Sequence, residues 1–274
     1  MDRKFTKENH LDISTLYNHF KELNTCEYDN GDWDLNVDEI QVSEILDSPI
    51  TEEEILYIVK KLKNSKASGL DDVYNEYIKS TINQLMQVYI ALFNAVLNYG
   101  VIPEAWLTGC IKPIYKNKGS TGDPGNYRGI SLVSCLGKVF TSIISDRLQK
   151  FSDDVNLIGE EQAGFRPNHS TLDHIYVLKA LIEIYQHLNK KLFCVFIDFS
   201  KAFDTVWRYG LWTKLIKSNI GGKCYKVIHN MYQHIKSCVK YNNIMSPLFP
   251  CETGVRQGEN LSPVLFAIYL NDLD

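Results

Sequence analysis

The sequence predicts an α+β chain in which helices dominate the strands, and three observations carry that expectation. Apolar residues recur at helical spacing over several long stretches. Two short β-like runs flank a polar loop between Gly109 and Val133. The segment Leu192-Phe-Cys-Val-Phe-Ile-Asp198 is continuously apolar, rich in aromatic and β-branched residues, and closed by a carboxylate.

Residues 1–50 show weak periodicity and an acidic cluster over Tyr28–Glu44, which reads as a partly ordered extension closed by Pro49. The organised body starts at Thr51-Glu-Glu-Glu54, a capping box followed by Ile55, Ile58, Val59 and Leu62 on one helical face. A second helix is expected over Ile82–Leu97, with Leu85, Met86, Tyr89, Phe93 and Val96 inward and Gly100 and Pro103 as stops. Gly109–Tyr115 and Tyr127–Val133 then form a β-hairpin whose tip is the long polar loop Lys116–Asn126.

Helices are expected over Ser134–Phe151 and Ser170–Leu188. Leu192–Asp198 reads as a central strand buried on both faces, because a strand covered on both sides has no polar alternation. Helical segments near Asp204–Ser218 and Tyr225–Gln233, two strands within Lys236–Gly254 and a helix over Leu261–Leu270 complete the chain.

Composition narrows the function classes. Seven cysteines, an odd number and never closer than thirteen positions, suggest neither a CxxC zinc pair nor a disulfide framework. No apolar run approaches the ~20 residues of a membrane helix, and the N-terminus lacks the apolar core of a secretory signal. A soluble intracellular protein of cytoplasm or nucleus, with no membrane partner, is the expectation. The net charge of −4 conceals an asymmetry: residues 1–57 carry fifteen acids against four Lys/Arg, residues 58–274 eighteen against twenty-five. The mildly basic body is permissive for nucleic acid.

GxGxxG, P-loop, GxSxG and HExxH motifs are all missing. His169/His174 and His229/His234 are spaced five apart, which on a helix separates them by ~140° and disfavours a shared metal. Asp198 stands out because a carboxylate ending a buried strand needs compensation. A hard divalent cation is one compensator. Capping of the next turn through the amides of Phe199 or Ser200 is the other.

The wider segment Phe196-Ile-Asp-Phe-Ser-Lys-Ala-Phe-Asp-Thr-Val206 resembles motif A of reverse transcriptases, particularly those of non-LTR retrotransposons. Gly254-Val-Arg-Gln-Gly-Glu-Asn-Leu-Ser-Pro-Val-Leu-Phe266 is similar to motif B of that family, and Asn126-Tyr-Arg-Gly-Ile-Ser-Leu132 to its NYRPISL fingers motif. Glu161-Gln-Ala-Gly-Phe-Arg-Pro-Asn-His-Ser-Thr171 matches the block between them. The four blocks stand in family order, spread over most of residues 51–274.

The resemblance implies a right-hand polymerase, with fingers over 51–190 and a partial palm over 191–274, the palm being an incomplete antiparallel sheet backed by helices. It implies RNA-directed DNA polymerisation by two-metal nucleotidyl transfer, with Mg²⁺ or Mn²⁺ as cofactor and an RNA template, a DNA primer and deoxynucleoside triphosphates as partners. Asp198 and the carbonyl of Phe199 become metal ligands and Asp198 the catalytic carboxylate. Arg128 and Lys116 become triphosphate contacts, Lys112 being the alternative lysine and simple solvation the alternative role. Phe203 becomes the bulky residue that excludes a 2′-hydroxyl, or else a core aromatic. Gln257 contacts the nucleotide sugar and Gly258 admits the nascent base pair. Asp204 orients the turn. Arg256 and Arg166 could meet template phosphates.

Gly129 departs from the family's proline. The family also places two further metal-binding carboxylates in a hairpin beyond motif B, and the sequence ends at Asp274 before them. The expectation is therefore an incomplete domain, inactive alone; a non-catalytic remnant that binds nucleic acid or protein is the alternative.

Overall fold

The computed structural model describes residues 11–26 and 42–272; most of the acidic cluster over Tyr28–Glu44 lies outside them. Helix α1 (Ile13–Leu23) starts where the Asp12 carboxylate accepts from the Thr15 amide at 2.7 Å, and it buries Leu16 and Phe20. This part of the expected extension is built into the core. The short α2 (Glu44–Asp47) follows, and Leu46 and Ile50 are buried.

In α3 (Glu52–Lys61) both bonds of the Thr51/Glu54 capping box are made, and Ile55, Ile58 and Val59 face inward. Helix α4 (Asn75–Tyr99) starts seven residues before the predicted Ile82 and ends at Gly100, whose φ of +69° is left-handed. Met86, Tyr89, Phe93 and Val96 are buried as expected, but Leu85 is exposed, because the longer helix turns its core stripe through Ile78, Ile82 and Met86.

After α5 (Glu104–Leu107), β1 (Thr108–Tyr115) and β2 (Tyr127–Leu132) pair antiparallel from Cys110↔Leu132 to Tyr115↔Tyr127. The Lys116 amide donates to the Asn126 carbonyl at 2.9 Å, closing the predicted polar tip. Helix α6 (Cys135–Asp154), capped by Ser134, buries Val139, Phe140, Ile143, Ile144 and Leu148 at the centre of the core, where Phe140 meets Phe93 and Trp106 at ring separations of 5.7 and 5.6 Å. Arg147 of α6 forks onto Glu54 at 2.7 and 2.8 Å and donates to the carbonyls of Leu46, Ser48 and Pro49, fastening the 46–49 segment to the body.

Helices α8 (Arg208–Lys217) and α9 (Gly222–Gln233) precede β3 (Lys236–Tyr241), β4 (Ile244–Met245) and β5 (Phe249–Pro250), and α10 (Ser262–Leu270) closes the described chain. The sheet corrects one expectation. β3 runs parallel to β1, from Thr108↔Lys236 to Ile111↔Val239, and antiparallel to β4 and β5. One mixed sheet in the order β2-β1-β3-β4 thus replaces a separate antiparallel one.

A larger correction concerns residues 171–199. Leu192–Asp198 is not a strand, and Phe193, Val195, Phe196 and Ile197 are 75–86% exposed. No described strand lies beside it, so its amides and carbonyls have no ladder to join. Helix α7 (Thr171–His187) forms behind its Ser170/Asp173 capping box but buries no residue. No described helix is long and apolar enough to cross a membrane.

Candidate active site

A cleft of about 910 Å³ opens between the hairpin tip, α1, the turn 198–204 and the loop before α10. Of the positions singled out in the sequence for chemistry it gathers Lys116, Arg128, Asp198, Phe199, Phe203, Asp204, Gln257 and Gly258, but not Arg166 or Arg256. They come from four separated segments, and Lys112 is not among them.

The hairpin supplies the cations. Lys116 sits where β1 enters the tip, and its Nζ donates to the Gly125 carbonyl at 3.0 Å. Arg128 is exposed one residue inside β2, and its guanidinium makes no hydrogen bond or ion pair with the described residues. A guanidinium in that state offers its planar donor fork to an incoming anion.

The 200–206 turn is held from both sides. Lys201 takes a left-handed φ of +54°, and its carbonyl accepts from the amides of Asp204 and Thr205 at 2.8 and 3.1 Å. The Gly254 amide donates to the Val206 carbonyl and that of Val255 to Phe203, at 2.9 and 2.8 Å. A Cβ on Gly254 would lie 2.6 Å from the Asp204 carbonyl, and φ there is +76°, so this approach requires glycine.

Phe203 stacks on Phe266 at 4.9 Å and 18°, with Phe165 edge-on at 5.7 Å. It is thus locked by packing on one side and faces the cleft on the other. Asp204, sunk beneath the turn, accepts from Gln257 Nε2 at 3.4 Å, and burial pushes its carboxyl up to about 6 against the pull of Lys201 and Lys116. The Gln257 carbonyl accepts from the Ser131 amide at 2.8 Å, tying this loop to β2. At Gly258, with φ +104°, a Cβ would lie 3.0 Å from the Ser131 carbonyl.

Two buried arginines hold the floor. Arg208 donates to the carbonyls of Gly254, Tyr232, Cys251 and Thr253 at 2.7–3.0 Å, with no carboxylate among its partners, and burial lowers its pKa to about 10. Arg256 donates to the carbonyls of Trp106 and Leu107. Near it Glu259 is fully enclosed, held by the Tyr232 hydroxyl at 3.4 Å, and desolvation raises its pKa.

Asp198 is exposed and stands apart from other ligands: among the described residues no three His, Cys, Asp or Glu side chains could together hold a metal ion. One carboxylate and the Phe199 carbonyl are hard oxygen donors of the right kind, but they fill too little of an octahedral shell, so the described residues do not make a Mg²⁺ site by themselves.

The family model described as reverse transcriptase (RNA-dependent DNA polymerase) matches residues 114–274. The chain belongs to the reverse transcriptase family. It is 31% identical to a probable RNA-directed DNA polymerase from transposon BS of Drosophila melanogaster, over 97% of this chain and 29% of that protein. The RNA-directed DNA polymerase from mobile element jockey of the same species is 31% identical over 85% of this chain and 26% of its own length. A Pol polyprotein of the type-1 retrotransposable element R2 of Nasonia vitripennis is 26% identical over 67% and 18%. The chain therefore spans less than a third of the length of these relatives, and the resemblance to non-LTR retrotransposons holds. The family is in general dependent on divalent metal.

In this member of the family the two arginines expected to meet template are occupied elsewhere. Arg256 is buried in the bonds just described, and Arg166 donates to the carbonyls of Gly159 and Gln162 at 2.7 and 3.4 Å. Arg166 closes its own loop, and Arg256 ties the loop before α10 to the end of α5. His19, Phe20 and Leu23 of α1 line the cleft without any signal in the sequence, since their segment is only weakly periodic. Lys201 also lines it, and stood in plain view inside the motif A block.

Proposed function

We propose that this chain is the nucleotide-gripping portion of an RNA-directed DNA polymerase of a non-LTR retrotransposon, acting inside the cell on an RNA template, a DNA primer and deoxynucleoside triphosphates. The convergence of three of the four motif blocks, together with Lys116 of the hairpin, on one cleft carries this reading. Residues 51–190 then act as fingers and 191–274 as part of the palm, with 1–50 as an extension that reaches back to the cleft through α1.

In this reading Lys116 and Arg128 bind the triphosphate, where a point charge and a planar fork act together. Phe203, held against Phe266, blocks the position of a 2′-hydroxyl, and Gln257 contacts the sugar from its perch on Asp204. Asp198 is one carboxylate of a metal-binding set whose other members lie outside the described residues. The exposed apolar side of residues 171–199 is where further palm strands pack, pairing with Leu192–Asp198 and carrying those carboxylates.

Primer extension on an RNA template by the longer parent polymerase tests the reading. Asp198→Ala should reduce it by about 10³-fold or more, and Arg128→Ala should raise the KM for nucleotide by at least about tenfold. Full activity in Asp198→Ala would remove the metal-ligand role. The 274-residue chain alone should show no extension.

A further inference from the structure

The glycine that departs from the family motif has a structural cause. A Cβ at Gly129 would lie 2.6 Å from Cε1 of Phe20 and 3.0 Å from Ile111 Cγ2, so any larger residue there collides with the buried ring that docks α1 on the hairpin. Helix α1 is fixed at other points too. Tyr17 meets Phe249 edge-on at 5.6 Å, the Glu252 amide donates to the Asn24 carbonyl at 2.8 Å, and the Cys26 amide donates to the Glu252 carboxylate at 3.2 Å. The helix therefore bridges the strand before motif B and the hairpin tip.

What α1 brings to the cleft is His19. It is half-buried and lines the same wall as Lys116, Arg128 and Lys201. Burial and the nearby charges of Lys201 and Lys116 lower its pKa, while Asp123 of the tip and Glu22 of its own helix pull the other way. Around the ring lie two lysines and two carboxylates, and no hydrogen bond to a described residue occupies its nitrogens. A polyphosphate bound in the cleft supplies a partner, because either protonation state of the ring offers an N–H to an oxyanion.

We propose that α1 is a working wall of the nucleotide site, with His19 donating to the polyphosphate of the incoming nucleotide, and that Gly129 is the residue that admits the helix. This rests on the nucleotide reading given above.

Equilibrium binding of dTTP and of inorganic tripolyphosphate to the full 274-residue chain tests it. His19→Ala should weaken both by about tenfold, the weight of one charge-assisted hydrogen bond, while the melting temperature stays unchanged. His19→Lys should restore binding. Gly129→Ala should weaken binding by displacing α1, Phe20→Ala should not worsen that loss, and Gly129→Ala should add nothing in a His19→Ala background. If His19→Ala binds normally while Lys116→Ala and Arg128→Ala do not, the α1 proposal fails and the nucleotide reading stands. If His19→Ala binds more tightly, α1 obstructs the cleft and the proposal is overturned. If none of the three weakens binding, the nucleotide reading itself falls and takes the α1 proposal with it.

Discussion

Helices α6 and α7 carry comparable runs of apolar residues, yet α6 buries twelve of its positions and α7 buries none. The segment after each helps explain the contrast. Residues 157–163 after α6 fold back on the core, where the Asn271 side chain donates to the Leu157 carbonyl and Gln162 Nε2 to that of Ala267. Leu192–Asp198 after α7 meets no described strand and lies open. The lesson is about where each kind of element finds its hydrogen bonds. A helix closes its own, so α7 forms without a partner; a strand borrows them from neighbours, so the more β-prone segment does not.

The first two ways to sharpen this contrast act on the closed side and should have the largest effects. Phe140→Ala should cost about 3–5 kcal/mol in denaturant unfolding, since its ring is fully enclosed. Arg208→Ala should cost a similar amount, about 3–5 kcal/mol, by leaving four buried carbonyls without a donor.

Asp204 gives a pH-dependent intermediate case. Its folded pKa of about 6 lies above the ordinary 3.8, so its contribution to stability is complete below about pH 3.8 and is lost as pH rises through about 6. Asp204→Asn should therefore stabilise the chain at pH 7 by at most about 3 kcal/mol and flatten the stability profile between pH 4 and 6. Unchanged pH dependence would show that another group titrates there.

Phe203→Val in the parent polymerase should change discrimination more than stability, raising ribonucleotide incorporation by about tenfold or more, equivalent to ~1.4 kcal/mol. Strictly deoxy incorporation would return Phe203 to a packing role beside Phe266. On the open side, Phe196→Ser should move the stability of this chain by no more than about 0.5 kcal/mol while improving its solubility. A cost of several kcal/mol there would mean that Leu192–Asp198 is covered in solution and would break the comparison.

Much was legible before any coordinates. The capping box at Thr51, the left-handed stop at Gly100 and the hairpin around Lys116–Asn126 are written in neighbouring residues, because capping and turn chemistry act over three or four positions. The same holds for the four motif blocks, whose residues are identifiable one by one. The misreadings share a cause in partners far away along the chain. Leu192–Asp198 has the composition of a strand, but pairing is decided by what lies beside it. Arg256 was expected to meet template phosphates, but the carbonyls of Trp106 and Leu107, far back along the chain, claim it.

By itself, then, the sequence determined most of the longer helices after Thr51, the hairpin and the family, and it named Lys116, Arg128, Asp198, Phe203, Gln257 and Gly258 as candidates. Only the tertiary structure decided that these residues share one cleft, that β1 and β3 run parallel, and that α1 reaches across to the cleft with the Phe20 ring packed on Gly129. The division is physical. Helix periodicity, capping and turns depend on contacts a few residues long, whereas burial, strand pairing and the convergence of a site depend on which distant segments can be brought together without collision.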